Sequence, residues 1–248
     1  MEKQRLTAKK ASIAEIVGGR FVQKGGLESS YVLTALGRRL SRVRIMGLVV
    51  DKFVSPDEKY ATITLDDGTE TIRCKSFVNI KIFDNLASGD LVDVFGKVRI
   101  YDGEVYVTPE IVRKVPANAE ILRMLELEHI YIKQKQLSKR VAEIAKTTAD
   151  AAEVKRLAAQ FAAPQDVEGV LEAEEVAKAT VEENMASAVE NRNKILSLII
   201  QLDTGNGTDY TELTAKSGIP EAAVEAAVQH LLESGICFEP RPGKIKKL

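Results

Sequence analysis

Two stretches of the chain that are rich in β-branched residues each place two cations and one aromatic residue on the same face of a predicted strand. Side chains alternate across a strand, so residues two apart point the same way. Cations can follow a line of phosphates, and an aromatic face can stack on a base without reading its identity. The pattern therefore predicts a surface for single-stranded nucleic acid. Its members are Arg73, Lys75 and Phe77 in one strand and Lys97, Arg99 and Tyr101 in the other.

The same pattern also has a purely structural interpretation. Outward Lys and Arg residues are usually only solvated, and an aromatic residue at a strand end often closes the mouth of a barrel. Base stacking is favoured for Phe77 and Tyr101, whereas Tyr60 and Tyr106 are balanced between the two interpretations. Arg44 either flanks the binding surface or only keeps the first strand soluble. We include Tyr60 and Arg44 in the predicted site for single-stranded DNA.

Residues suited to catalysis or metal binding do not occur in the usual patterns. The sequence has no nucleophile elbow, Walker-type phosphate loop, HExxH motif or paired-carboxylate motif. Its two cysteines and two histidines cannot complete a four-ligand zinc site without carboxylates. We therefore predict that the protein is not an enzyme and uses no cofactor and no metal.

The strands that must position these residues lie within residues 40–116. Asp67-Gly68 and Asp102-Gly103 suit tight turns between strands, and a segment after the third strand is long enough for a short helix. Five strands with a helix between the third and the fourth is the order of an OB-fold barrel. The sequence thus predicts a mainly β OB-fold barrel with a trailing α-helix, followed by a small α+β winged-helix domain.

The remaining chain divides by composition. We expect a basic N-terminal arm (1–39), a helix after the barrel (117–144), an acidic Ala/Glu-rich linker (145–190) and a winged helix (191–248). Residues 145–190 have too few large apolar side chains to make a core, so a mobile, partly helical linker is expected. Apolar residues on the helix at 117–144 cover more than one stripe, which predicts a second packing partner. They include Ile121, Leu122, Leu125, Ile130 and Ile132.

The formal net charge of −1 hides an uneven distribution along the chain. Residues 1–140 carry 24 basic and 18 acidic side chains, whereas residues 145–190 carry 4 basic and 10 acidic ones. The basic part coincides with the predicted binding strands. No apolar run reaches the about 20 residues of a membrane helix, and the N-terminus lacks the apolar core of a signal peptide. We therefore expect a cytoplasmic protein without a membrane partner.

The third helix of the predicted winged helix is acidic. It carries Glu221, Glu225 and Glu233 and has no Lys or Arg, whereas a helix that reads DNA presents basic or amide side chains. Docking of proteins on residues 191–248 is favoured, although the basic C-terminal residues leave a DNA role open.

The order of barrel, helix, linker and winged helix resembles the middle subunit of replication protein A, and within that family the archaeal associated subunit. The resemblance implies a heterotrimer with large and small subunits that protects single-stranded DNA in replication, repair and recombination, in a prokaryotic cell close to the nucleoid. It also implies base stacking by Phe77 and Tyr101, a subunit interface on the helix after the barrel, and docking of replication and repair proteins on the winged helix. The segments that carry it are EIVGGRF (15–21), SSYVLTALGRRLSRVRIMGLVV (29–50), GDLVDVFGKVRIYDGEVYVTPEIVRKV (89–115), NRNKILSLI (191–199) and TDYTELTAKSGIPEAAVEAAVQHLLESGICF (208–238).

Two alternatives remain open at this point. The protein could be an assembly and recruitment scaffold whose barrel hardly touches DNA, as the apolar helix and the acidic segments suggest. It could also be an OB-fold protein that binds RNA, although this reading explains the winged helix poorly.

Overall fold

The structure is a computed structural model that describes residues 6–25, 29–148 and 150–248. Residues 1–5 and 26–28 of the predicted arm and residue 149 of the predicted linker lie outside the described residues. The chain divides into two units, residues 1–175 and residues 176–248, and each is described by itself.

The predicted OB-fold barrel is confirmed. Its five strands pair in the order first, second, third, fifth and fourth, and pairing of the first strand with the fourth closes the barrel. Alternate residues along much of each strand are apolar and buried, which gives the barrel a continuous core that includes Ile45, Ile63 and Val94. The strands are β5 (Arg42–Val54), β6 (Ala61–Asp66), β7 (Thr71–Ser76), β8 (Leu91–Tyr101) and β9 (Glu104–Lys114).

A tight turn and a short helix connect the last strands of the barrel. Asp102 and Gly103 have φ angles of 49° and 77°, as a two-residue turn between β8 and β9 requires. Between β7 and β8 a short 3₁₀ helix (Ile80–Phe83) buries Phe83 completely in the core. The Lys52 ammonium donates to the Phe83 and Leu86 carbonyl oxygens at 2.7 and 3.0 Å, so it holds this segment against β5.

The N-terminal segment differs from the predicted arm because it completes the barrel core. Ile13 and Ile16 lie on one face of the helix α1 (Ile13–Val17), and both side chains are fully buried among barrel residues. Arg38 donates to the Glu15 carboxylate at 2.7 Å, which ties α1 to the strands that follow. The boundary expected at residue 39 therefore does not separate an arm from the barrel. The elements are β1 (Lys9–Lys10), α1 (Ile13–Val17), β2 (Arg20–Val22), β3 (Tyr31–Leu33) and β4 (Arg39–Leu40).

Three helices follow the barrel, and they correct the expectation of a linker over 145–190. They are α2 (Asn118–Thr147), α3 (Ala151–Ala158) and α4 (Pro164–Leu202). Val141, Val154 and Val167 form a small buried core with Ala158 and Val170. Because alanine is small, the helices approach closely enough for a few valines to exclude water, which a count of large apolar residues overlooks. Residues 177–190 of α4, in contrast, are exposed on all sides.

The start of α4 also packs against the turn between β3 and β4. Gly37 there has a φ of +83°, and its carbonyl oxygen lies where a Cβ of residue 169 would be. Beside this contact Arg39 donates to the Glu172 carboxylate at 2.8 Å. The first turns of α4 thus belong to the barrel unit.

The second unit has its own core. Ile195 and Ile199 of α4 are fully buried together with Leu213 of α5 (Tyr210–Ser217) and Leu231 of α6 (Glu221–Glu233). Gly218, with a φ of +64°, ends α5 in the left-handed conformation and allows α6 to start in a new direction. The predicted hairpin near the C-terminus pairs with a third strand of two residues, which the sequence did not predict. The elements are β10 (Thr208–Asp209), α5 (Tyr210–Ser217), α6 (Glu221–Glu233), β11 (Cys237–Arg241) and β12 (Lys244–Lys247).

Among the described helices, none combines the length and the apolar character that crossing a bilayer demands.

Candidate nucleic-acid interface

An open groove of about 690 Å³ crosses the outer face of the barrel strands. One wall is a strip of three aromatic rings. The ring centroids of Phe53 and Tyr60 are 5.7 Å apart, and those of Tyr60 and Phe77 are 6.1 Å apart with planes inclined by 29°. Such a strip offers π-faces to successive bases. The full lining is Asp51, Phe53, Tyr60, Thr62, Arg73, Lys75, Phe77, Tyr101 and Tyr106.

The pairing of β6 with β7 explains why the predicted residues meet here. Thr62 pairs with Lys75 and Thr64 with Arg73, so both cations stand on the outer face. Tyr60 directly precedes β6 and Phe77 directly follows β7, and the adjoining pair of Ala61 with Ser76 sets them opposite each other. Five of the eight residues predicted to bind DNA line this one groove: Phe77, Tyr101, Arg73, Lys75 and Tyr60.

A β-bulge in β5 brings Phe53 into the strip. Val49 pairs with Leu65 and Asp51 with Thr64, so Val50 is one residue more than β6 has. The extra residue inverts the alternation along β5. Phe53 would point inward if the alternation of Val43, Ile45 and Val49 continued, but it stands on the outer face. Reading alternation from the sequence alone missed it for this reason.

The other end of the groove is formed by β8 and β9. Tyr101 is 74% exposed and Phe77 is 57% exposed, so both rings are available to a ligand. The Lys75 ammonium lies 4.9 Å from the centroid of the Tyr106 ring. Tyr106, which the sequence left balanced between two roles, lines the groove because its neighbours Val105 and Val107 take the inner face.

Two acidic residues that were not among the predicted site residues lie at the groove: Asp51 is part of its lining, and Glu104, which is not part of the lining, contacts two of its cations. Glu104 accepts a hydrogen bond from Lys75 at 2.7 Å and one from Arg73 at 3.1 Å. These partners, Lys75 above all, hold the pKa of the Glu104 carboxyl below its usual value. Arg73 and Lys75 therefore share one carboxylate, which offsets about one of their two positive charges. Alternation along β9 could have found Glu104, because it shares a face with Tyr106.

Arg44 does not belong to the groove, which corrects its prediction. Its guanidinium donates to the Asp93 carboxylate at 2.6 Å, and Asp93 is completely buried. Arg113 at 3.0 Å and Arg123 of α2 at 3.3 Å also donate to Asp93. Arg44 is thus one of three arginines that compensate a buried charge beneath α2.

Lys97 and Arg99 also lie outside the groove lining, although both are exposed on the outer face of β8. The Lys97 ammonium lies 3.5 Å from the Glu110 carboxylate, which Arg42 also contacts at 2.6 Å. Arg99 pairs with Tyr106 across the ladder, so it stands beside the groove rather than in it. Of the second predicted row, Tyr101 alone reaches the lining.

The apolar residues predicted to form a subunit interface stand on the surface of α2. Ile121, Leu122, Leu125 and Ile132 are exposed, and Ile130 is half-buried. Met124 and Tyr131, which the prediction did not include, are exposed on the same helix. The described residues of the barrel unit therefore leave much of the apolar surface of α2 uncovered.

Solved structures with a similar fold include chains of two multi-subunit complexes. One is a chain from the structure of a replication protein A heterotrimer bound to ssDNA, with a TM-score of 0.44 and 15% identity over 52% of this chain and 98% of that one. Another is from the Stn1-ten1 complex of S. pombe, with a TM-score of 0.40 and 19% identity over 42% of this chain and 81% of that one.

The amino-acid sequence itself matches one family model and one curated relative. Residues 43–115 match the family model described as an OB-fold nucleic acid binding domain. A curated relative is 30% identical over 252 residues, which cover all of this chain and 89% of the relative. It is named Uncharacterized protein MJ1654 and comes from Methanocaldococcus jannaschii. The groove therefore lies on a domain of the nucleic-acid-binding OB-fold class.

Proposed function

This chain belongs to the same family as the Methanocaldococcus jannaschii protein MJ1654, and we propose that it binds single-stranded DNA in the barrel groove. The observation that carries the proposal is the aromatic strip of Phe53, Tyr60 and Phe77 beside two cations in one open groove. Flat rings tolerate any base sequence, and Arg73 and Lys75 suit a phosphate backbone. The protein acts by binding rather than by catalysis.

Replacing Phe77 and Tyr101 together by alanine tests this function. Stacking contributes about 1–3 kcal/mol per base, so the double variant should bind an oligothymidine of about 16 nucleotides at least about 30-fold more weakly. Fluorescence anisotropy with the full chain measures the affinity, and Tyr131→Ala, which removes an exposed ring on α2, is the matched control. Equal affinities of the wild-type chain and the double variant would refute stacking by these residues.

We further propose that the chain is one subunit of a replication protein A-like heterotrimer that protects single-stranded DNA in replication, repair and recombination. The exposed apolar residues of α2, such as Leu122 and Leu125, support contacts with a large and a small subunit. The cytoplasm of a prokaryotic cell, close to the nucleoid, is the corresponding location.

The second unit is proposed to be a winged helix on which replication and repair proteins dock. The exposed face of α6 carries Glu221, Glu225, Gln229 and Glu233, and an acidic face suits a basic segment of a protein better than it suits DNA. Titration of the full chain with double-stranded DNA tests this assignment, since DNA contacts by β11 and β12 would give salt-dependent binding that survives loss of the groove aromatics.

A scaffold with little DNA contact is the second candidate, and the pairing of both Arg73 and Lys75 with Glu104 favours it. The two candidates differ in one measurement. A scaffold assembles with its partner subunits but shows no affinity for oligothymidine. An oligouridine of equal length, measured alongside, identifies a preference for RNA.

A further inference from the structure

Glu104 occupies the position between the two cations of the groove. It is the first residue of β9, directly after the Asp102-Gly103 turn, so its backbone position is fixed by the hairpin. One carboxylate oxygen accepts from Arg73 and the other from Lys75, at 3.1 and 2.7 Å. Two oxygens that bridge two cations reproduce the way in which a phosphate group would be held.

We propose that Glu104 is a built-in stand-in for a nucleic-acid phosphate and that it sets the affinity of the groove. The inference rests on the proposed function, because it concerns the ligand of that same site. A phosphate that approaches Arg73 and Lys75 must displace the Glu104 carboxylate or share the cations with it. In the free protein the same carboxylate keeps the two cations in place beside the rings.

The exposure of the three side chains indicates that the exchange is feasible. The Arg73 side chain is 57% exposed and that of Glu104 is 39% exposed, so this pair is open to solvent and weak. The Lys75 side chain is only 16% exposed and lies against the Tyr106 ring. Lys75 therefore stays in position when Glu104 leaves, and Arg73 is free to follow the phosphate.

A second carboxylate on the same strand provides a matched control. Glu110 also bridges two cations, Arg42 at 2.6 Å and Lys97 at 3.5 Å, but neither of these cations lines the groove, whereas both partners of Glu104 do. Glu104→Gln and Glu110→Gln each remove one negative charge from β9. Their comparison separates a local effect at the phosphate position from the change in net charge.

The experiment measures the affinity of the full-length wild-type chain and both variants for an oligothymidine of about 16 nucleotides by fluorescence anisotropy. At 0.15 M salt charges are screened beyond about 8 Å, so Glu110→Gln should change the affinity little. Glu104→Gln should bind about three- to tenfold more tightly, because two ion pairs no longer compete with the phosphate. Equal or weaker binding by Glu104→Gln than by Glu110→Gln would overturn the inference.

The dependence on salt gives a second readout. If Glu104 cancels about one cation in the wild-type complex, the slope of log affinity against log salt should be steeper in Glu104→Gln by about 0.7. An unchanged slope would contradict the inference. Absence of binding by all three chains would instead refute the proposed function and the inference with it, whereas tight wild-type binding without a gain in Glu104→Gln refutes only the inference.

Discussion

At the scale of single residues, the buried carboxylate of Asp93 determines how α2 is held on the barrel. Burial by itself raises the pKa of this carboxyl, but hydrogen bonds from Arg44 and Arg113 and the charge of Arg123 outweigh it, so the pKa lies below its usual 3.8. Arg123 is almost fully buried and also contacts Glu126 at 3.2 Å. Asp93 is therefore the one carboxylate that Arg44, Arg113 and Arg123 share, and all three would lose a counter-charge without it.

Asp93→Asn should lower the free energy of unfolding of the barrel by about 3 kcal/mol at pH 7, because Arg123 keeps a buried charge whose main partner is gone. Since the folded pKa is lowered, the contribution of the carboxylate is present above its unfolded value and is lost as the pH falls through the folded value. Urea unfolding followed by circular dichroism should show the difference between wild type and variant shrinking below about pH 4. A difference that stays constant down to pH 2 would speak against this role.

The groove aromatics show which single-residue predictions are within reach of a sequence. Strand alternation identifies Phe77 and Tyr101, because the ladders around them are regular. It fails for Phe53, because the register shift in β5 is invisible without its partner strand. The prediction for Arg44 fails for a different reason. Its side chain does point outward, but α2, which is distant in sequence, packs over that part of β5.

At the scale of elements, the contact between Gly37 and Gly169 attaches the start of α4 to the β3–β4 turn. A Cβ at residue 169 would collide with the Gly37 carbonyl oxygen, and one at residue 37 would collide with the backbone of Val170. Composition did not predict this contact. A segment rich in Ala and Glu looks like a linker because its sequence does not show that two glycines remove the steric barrier to packing.

Gly169→Ala gives the element-scale prediction. In an isolated helix, replacing glycine by alanine would stabilise the helix by about 1 kcal/mol. Here the added methyl group collides with the Gly37 carbonyl oxygen and forces α4 away from the β3–β4 turn. We expect faster amide exchange in α3 and in the first turns of α4, measured by hydrogen–deuterium exchange and mass spectrometry. Ser187→Ala, in the exposed part of the same helix, is the control. Unchanged exchange in Gly169→Ala would show that the contact does not hold the segment.

At the scale of the whole molecule, the proposed DNA binding and the proposed assembly use separate surfaces. The groove lies on the outer face of β5–β9, whereas Leu122 and Leu125 are exposed on α2, and neither belongs to the groove lining. The sequence predicted this separation because a helix with apolar residues on several faces needs a second partner. It did not predict where the barrel unit ends, since that depends on how α3 and α4 pack.

Leu122→Asp combined with Leu125→Asp should therefore abolish co-purification of partner subunits from the native cells and leave the affinity for oligothymidine unchanged. Charged side chains at the centre of an apolar interface cannot be desolvated cheaply, whereas on an exposed helix they leave the fold intact. Affinity purification of the tagged chain measures the first effect, and fluorescence anisotropy measures the second. A monomeric wild-type chain that recovers no partner would contradict the assembly role.

The two buried residues of α2, Arg123 and Val141, have a further consequence for assembly. They lie five turns apart, about 27 Å along the helix axis, and they anchor the helix near its two ends. The stretch between them is already ordered before any partner arrives. When a partner helix packs there, only the partner loses conformational entropy, because α2 has already lost its own during folding. The entropic cost of binding is therefore smaller than for two unfolded segments.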